Sequence, residues 1–114
     1  MFLFQHGSMG SMSQFFPIIH ALHEICGAGV VAFDMLGCGR SSKPESWEAY
    51  AFDALADDLL GVYDLLQAQP WRSGGGEVTL VAHSYGSHLA LKLLQMLNAR
   101  GPAAGVEHLE QLQG

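Results

Sequence analysis

Ser84 is the residue whose neighbours best suit it to act as a nucleophile. It lies in TLVAHSYGSHLALKLL, Thr79 to Leu94, where strand-forming residues give way to a helical pattern. A serine hydroxyl attacks poorly unless a base takes its proton and hydrogen-bond donors receive the oxyanion that forms. A tight strand-to-helix turn supplies part of that machinery. It holds the hydroxyl out from the sheet, and the unpaired N–H groups of the helix start face the reacting oxygen. Strand and helix then pass close together, so the positions two before and two after the serine must be small. Here they are Ala82 and Gly86. The usual pattern is G-x-S-x-G, from which Ala82 departs by one methyl group. A serine at a helix start is also a common N-cap. The strand–turn–helix setting is what selects the nucleophilic reading.

No partner for such a serine stands out. His88 lies one turn into the helix that Ser84 opens, and its ring is not expected to reach the hydroxyl in line. His83 precedes the serine and should point the other way. His20 and His23 fall on the first helix, away from the turn. Glu107, His108 and Glu110 lie in a tail, GVEHLEQLQG, that ends without a clear apolar run, so solvation accounts for them best. Asp53, Asp57 and Asp58 occupy the exposed side of the second helix, where early acidic residues suit the helix dipole. GCGRSS begins like G-x-G-x-x-G but ends in Ser42 and runs into loop, and SGGGE lacks the Lys-Ser/Thr of a phosphate loop. No cofactor and no metal site is expected.

The elements that must position Ser84 follow from periodicity. Phe2 to Phe4 is a short apolar run ended by His6-Gly7, and Gly7 to Ser13 is loop. Phe15, Phe16, Ile18, Ile19, Leu22 and Ile25 fall near helical spacing, stopped by Gly27 to Gly29. Val30 to Asp34 has the β-branched composition of a buried strand, and Met35 to Ser46 is turn-rich. Phe52, Leu55, Ala56, Leu59, Leu60, Tyr63 and Leu66 share a helix face, Gln69 to Glu77 is loop, Val78 to Ala82 is the third strand, and Tyr85 to Asn98 is helical. The order β-α-β-α-β-α predicts an α/β fold: a parallel sheet with helices on both faces. His6-Gly7, Asp34 to Gly39 and His83 to Gly86 each follow a strand. They therefore share the carboxyl edge of the sheet, where open α/β sheets bind ligands.

Composition sets the bounds. A chain of 114 residues that is 49% hydrophobic forms one small packed domain. Its net charge of −6 argues against nucleic acid and against anionic membrane surfaces as partners. Two cysteines, Cys26 and Cys38, make no disulfide framework. No apolar run approaches the ~18 residues of a membrane helix, and no signal-peptide pattern is visible. An intracellular compartment is favoured.

Three segments together carry a family resemblance. FLFQHGSMGS resembles the strand and oxyanion loop of the α/β-hydrolase superfamily, VVAFDMLGCGRSSKP its D-x-x-G-x-G-x-S-x-x-P loop, and LVAHSYGSHLALKLL its nucleophile elbow. The resemblance extends over roughly residues 1–108. AYAFDALADDLLGVYDLL and HSYG lean toward the eukaryotic abhydrolase-domain lipid hydrolases and acyltransferases. The resemblance implies that Ser84 is the nucleophile and that the backbone N–H groups of Ser8 and Tyr85 form the oxyanion hole. It implies that His6 and Gly7 shape the oxyanion loop, and that Asp34, Gly37, Gly39 and Ser41 are structural. Cys38 stands where relatives often carry histidine or an aromatic residue and receives no chemistry.

In this family the acid and the histidine follow the nucleophile, and neither is recognisable after Ser84. Residues 1–114 are thus expected to be an incomplete α/β-hydrolase domain, without the C-terminal strands and the triad acid and histidine. The expected function is hydrolysis of a small-molecule carboxylic ester or lipid through an acyl-enzyme on Ser84, with little activity from this portion alone. The alternatives are a non-catalytic remnant or binding module, and an acyltransferase of the same fold.

Overall fold

The computed structural model describes residues 1–69 and 77–100. Three strands form one sheet: β1 (Phe2–Gln5), β2 (Val30–Ala32) and β3 (Thr79–Ala82). All pairings are parallel and the order is β2-β1-β3, so the strand that comes first in sequence lies in the middle. Leu3 aligns with Val31 on one side and with Leu80 on the other.

Three helices cover the sheet: α1 (Phe16–Glu24), α2 (Phe52–Gln67) and α3 (Tyr85–Ala99). The first crossover runs from β1 to β2 and the second runs back from β2 past β1 to β3, so right-handed connections place α1 and α2 on opposite faces. One face carries α2 and α3 over Leu3, Leu80 and Ala82. Leu55, Ala56 and Leu59 of α2 and Leu89, Ala90, Leu93 and Leu97 of α3 complete that core. On the other face Phe4 meets Phe15 with ring centroids 4.9 Å apart. Alternate residues of β1 thus serve both layers, as the pleat requires. At the far end of the helix pair, Arg100 donates two hydrogen bonds to the Asp64 carboxylate, at 2.7 and 2.8 Å. Both side chains are nearly half exposed, so solvent screens the pair and it adds little to stability.

The structure refines several expectations. The strand expected over Val30 to Asp34 stops at Ala32 and is half-buried throughout. It is an edge strand among the described residues, so its β-branched composition marks pairing on one side only. The loop expected over Gly7 to Ser13 tightens into a 3₁₀ turn from Met12, and a second 3₁₀ turn, Trp47–Tyr50, precedes α2. Helix α1 has the expected apolar periodicity yet buries no residue fully, and Phe16 and Ile18 are each 52% exposed. Asp53, Asp57 and Asp58 are exposed, as their placement on α2 predicts. Most of the loop between Gln69 and Glu77, and the tail with Glu107, His108 and Glu110, lie outside the described residues.

Removing buried volume from the larger layer tests this assignment. Leu59→Ala and Leu89→Ala, at fully buried positions, are each expected to cost about 2–5 kcal/mol. Ile18→Ala on the exposed side of α1 is expected to change stability by less than about 0.5 kcal/mol. Urea unfolding of the three variants compares them.

Candidate active site

Ser84 sits between β3 and α3 with φ 55° and ψ −123°. Only one other non-glycine residue among those described, Met9, has positive φ. For a serine this geometry costs on the order of 1–3 kcal/mol and persists only where the surroundings enforce it. The residue holds the N-cap position of α3, yet its side chain makes no capping hydrogen bond. The hydroxyl therefore does not serve the helix, and it is exposed.

Two glycines enforce the turn. A Cβ on Gly86 would lie 2.6 Å from the carbonyl oxygens of Gln5 and His6. A Cβ on Gly7 would lie 2.8 Å from the His83 carbonyl oxygen and 3.1 Å from the Ser84 Cβ. The loop leaving β1 and the elbow leaving β3 are thus in backbone-to-backbone contact. Ala82 faces the other way. Its methyl is buried in the core with Leu3 and Leu89, so the departure from glycine fills space at no steric cost.

His6 is fully buried and bonded at both ring nitrogens. Nε2 accepts the Met35 N–H at 2.8 Å, and Nδ1 lies 2.7 Å from the Gly7 carbonyl. A backbone N–H can only donate and a carbonyl can only accept, which fixes the neutral Nδ1–H tautomer. The ring ties the loop after β1 to the loop after β2. With neither nitrogen free, it is not a base. The Gly7 carbonyl also accepts the Gly10 N–H at 3.1 Å, closing a turn in which Met9 takes φ 59°. That turn leaves the Ser8 N–H outside its own hydrogen bond. Among the described residues, neither the Ser8 N–H nor the Tyr85 N–H has an acceptor. Ser8 and Tyr85 line one open pocket of roughly 330 Å³, together with Met35, Leu36, Cys38 and Tyr50.

Asp34 organises the second loop. Its Oδ1 accepts the Met12 N–H at 2.9 Å and its Oδ2 the Arg40 N–H at 3.0 Å. Its own carbonyl accepts from the Ser41 hydroxyl. The Arg40 N–H, followed by that of Met12, holds the carboxyl below its ordinary value of 3.8. Gly39, at φ 51°, lies against this carboxylate with no space for a side chain. Gly37, at φ 82°, backs onto the Tyr50 ring, whose Cε1 would be 2.6 Å from a Cβ.

No described residue accepts a hydrogen bond from the Ser84 hydroxyl. His83 Nδ1 accepts from Gln14 Nε2 at 3.4 Å. His88 is exposed, its ring 6.4 Å from that of Tyr85. His23 donates to the Ala28 carbonyl at 3.2 Å, and His20 is exposed on α1. The structure thus brings Ser84, Gly7, Ser8, Tyr85 and Gly86 together and sets Asp34, Gly37 and Gly39 behind them. Met35 and Tyr50 were not singled out by sequence. Both are ordinary residues by type, and only the tertiary contacts of His6 and Gly37 bring them to the site.

The family described as alpha/beta hydrolase fold matches residues 1–102. The chain belongs to this family. A proline iminopeptidase of Lactobacillus crispatus is 30% identical over 87 residues, covering 75% of this chain and 27% of that protein. Epoxide hydrolase B of Mycobacterium tuberculosis is 36% identical over 73 residues, 62% of this chain and 18% of that one. Among solved structures, an epoxide hydrolase of Vigna radiata superposes with a TM-score of 0.69 at 32% identity, covering 82% of this chain and 27% of the other. The chain spans between 18% and 27% of the length of these alpha/beta hydrolases. The activities they are named for are hydrolytic.

Two variants test the site's construction. Gly86→Ala is expected to destabilise by about 1–3 kcal/mol, because two carbonyl oxygens block the methyl. Gly61→Ala, on α2 with open space around it, is expected instead to stabilise by roughly 0.5–1 kcal/mol. Chemical denaturation of both separates close approach from glycine content. Asp34 gives a dependence on pH. A carboxyl held below its ordinary pKa stabilises the fold above that value, and the contribution is lost as pH falls through the depressed pKa. Asp34→Asn is therefore expected to be less stable than the parent by about 1–2 kcal/mol at pH 7. The gap should close as pH drops below 3.8, as followed by urea midpoints across that range.

Proposed function

We propose that the chain carries the nucleophile and oxyanion hole of a serine hydrolase that cleaves small-molecule carboxylic esters or lipids through an acyl-enzyme on Ser84. One observation carries the reading. The uncapped, exposed hydroxyl of Ser84 stands at a strained turn beside two N–H groups, of Ser8 and Tyr85, that lack acceptors among the described residues. Attack of Ser84 Oγ on an acyl carbon moves the carbonyl π electrons onto oxygen, and these two donors stabilise the oxyanion. Collapse expels the alcohol, which takes a proton, and water then cleaves the serine ester. An oxyanion donor is typically worth about 2.7–4 kcal/mol of barrier. The base that takes the Ser84 proton lies outside the described residues in this reading.

The residue type discriminates between the activities of the named relatives. A serine that opened an epoxide would be left as an ether, which water does not cleave under mild conditions. Hydrolysis through a covalent epoxide adduct requires a carboxylate nucleophile, which leaves an ester. Serine at the elbow therefore favours acyl chemistry, on an ester or an amide. A second reading, a non-catalytic binding module, is favoured by one fact: no described group accepts from the Ser84 hydroxyl.

A fluorophosphonate probe separates the two readings. Its expected result is a single covalent adduct on Ser84 by mass spectrometry, absent from Ser84→Ala. The oxyanion hole alone supports roughly 10³–10⁴-fold acceleration over water, so labelling should proceed, though slowly. An unmodified chain after prolonged exposure would favour the binding module.

A further inference from the structure

The pocket beside the oxyanion donors carries information about the acyl group. Its walls include Met35, Leu36, Cys38 and Tyr50, with Ser8 and Tyr85 at the donor side. Among the described residues, no acidic or basic one lines it. The Tyr50 hydroxyl is turned away and donates to the Pro44 carbonyl at 2.5 Å, so the pocket meets the aromatic ring. Met35 is 5% exposed, and its sulfur accepts a hydrogen bond from Gln5 Nε2 at 3.6 Å, so this side chain is held in the core and borders the pocket only at its edge. The Leu36 isobutyl group, the Cys38 thiol and the Tyr50 ring give this wall its apolar surface.

An ammonium group moved from water into such a wall would lose its hydration with no carboxylate to compensate. A methylene chain would instead gain about 0.8 kcal/mol for each CH₂ buried. We propose that this pocket takes an uncharged aliphatic acyl chain and excludes aminoacyl groups. The inference rests on the reading of Ser8 and Tyr85 as oxyanion donors, and it departs from the aminoacyl substrate that the name proline iminopeptidase denotes for the relative in Lactobacillus crispatus.

The two cysteines allow a test that needs no turnover. Cys38 lines the pocket, while Cys26 is exposed just beyond α1 and serves as an internal reference. Iodoacetamide alkylation of each is followed by peptide mass spectrometry in the presence of hexanoate or L-proline. Both carry a carboxylate for the donors, and only proline carries an ammonium. With hexanoate at about ten times its Kd, Cys38 alkylation is expected to slow about ten-fold, the factor set by the residual free fraction. Cys26 should be unaffected, L-proline should leave both rates unchanged, and Ser84→Ala should retain the hexanoate effect.

Equal or greater protection by L-proline would overturn the inference, and so would an unprotected Cys38. Fluorophosphonate labelling of Ser84 with no protection of Cys38 would remove the pocket inference and leave the nucleophile. Protection of Cys38 with no labelling of Ser84 would do the reverse.

Discussion

The carboxyl edge of this sheet depends on one steric constraint. The chain leaving β1 and the chain leaving β3 pass closer than any side chain permits. Gly86 meets the carbonyl oxygens of Gln5 and His6 at a distance no Cβ tolerates, and Gly7 meets that of His83 in the same way. Parallel neighbours β1 and β3 arrive at this edge side by side, because their register pairs Gln5 with Ala82. The close passage leaves Ser84 no room to relax into a helical conformation. It also sets the Ser8 and Tyr85 backbones around one pocket. Strain at one serine and two N–H groups without acceptors among the described residues thus share a single cause.

Two polar residues secure what the glycines bring together. His6 spans from Gly7 to Met35 as a neutral ring with both nitrogens used, so its burial leaves no polar atom unsatisfied. Asp34 spans from Met12 to Arg40 as a carboxylate, with charge-assisted bonds to two N–H groups. The first tie is buried and uncharged, and the second is half-buried and ionised. Burial explains the division. A carboxylate at the position of His6 would need more compensation than two neighbours supply, whereas Asp34 keeps part of its hydration.

Much of this was legible in the sequence where the physics is local. The alternation of strands and helices, the helix spans and the strained turn at Ser84 follow from periodicity and from small residues at fixed offsets. His6, Gly7 and Gly86 could be placed at one edge because parallel topology puts every strand end there. Other features were not legible. The half-burial of β2 depends on what pairs with it, which composition cannot encode. The exposed face of α1 likewise reads as core by its spacing. Met35 contributes a backbone N–H to His6, and any residue type could do so. The two 3₁₀ turns arise where hydrogen bonds to Asp34 and packing on Gly37 tighten the chain, and neither leaves a local pattern.

The central place of β1 has a kinetic consequence. Its first partner, β2, arrives across one helix, and a β-α-β unit of that kind can form early from contacts close in sequence. Its second partner, β3, lies beyond α2, and Phe2 must wait for Thr79 before the sheet closes. Loop closure over such a span is slow compared with helix formation. Until then one side of β1, with its apolar residues Leu3 and Phe4, remains unpaired. The same late event presses Gly86 onto Gln5 and His6 and twists Ser84 into its strained geometry. In a folding chain the strained turn at Ser84 is therefore a product of the docking of β3, and any partly folded species that lacks β3 lacks the close contact of Gly86 with Gln5 and His6.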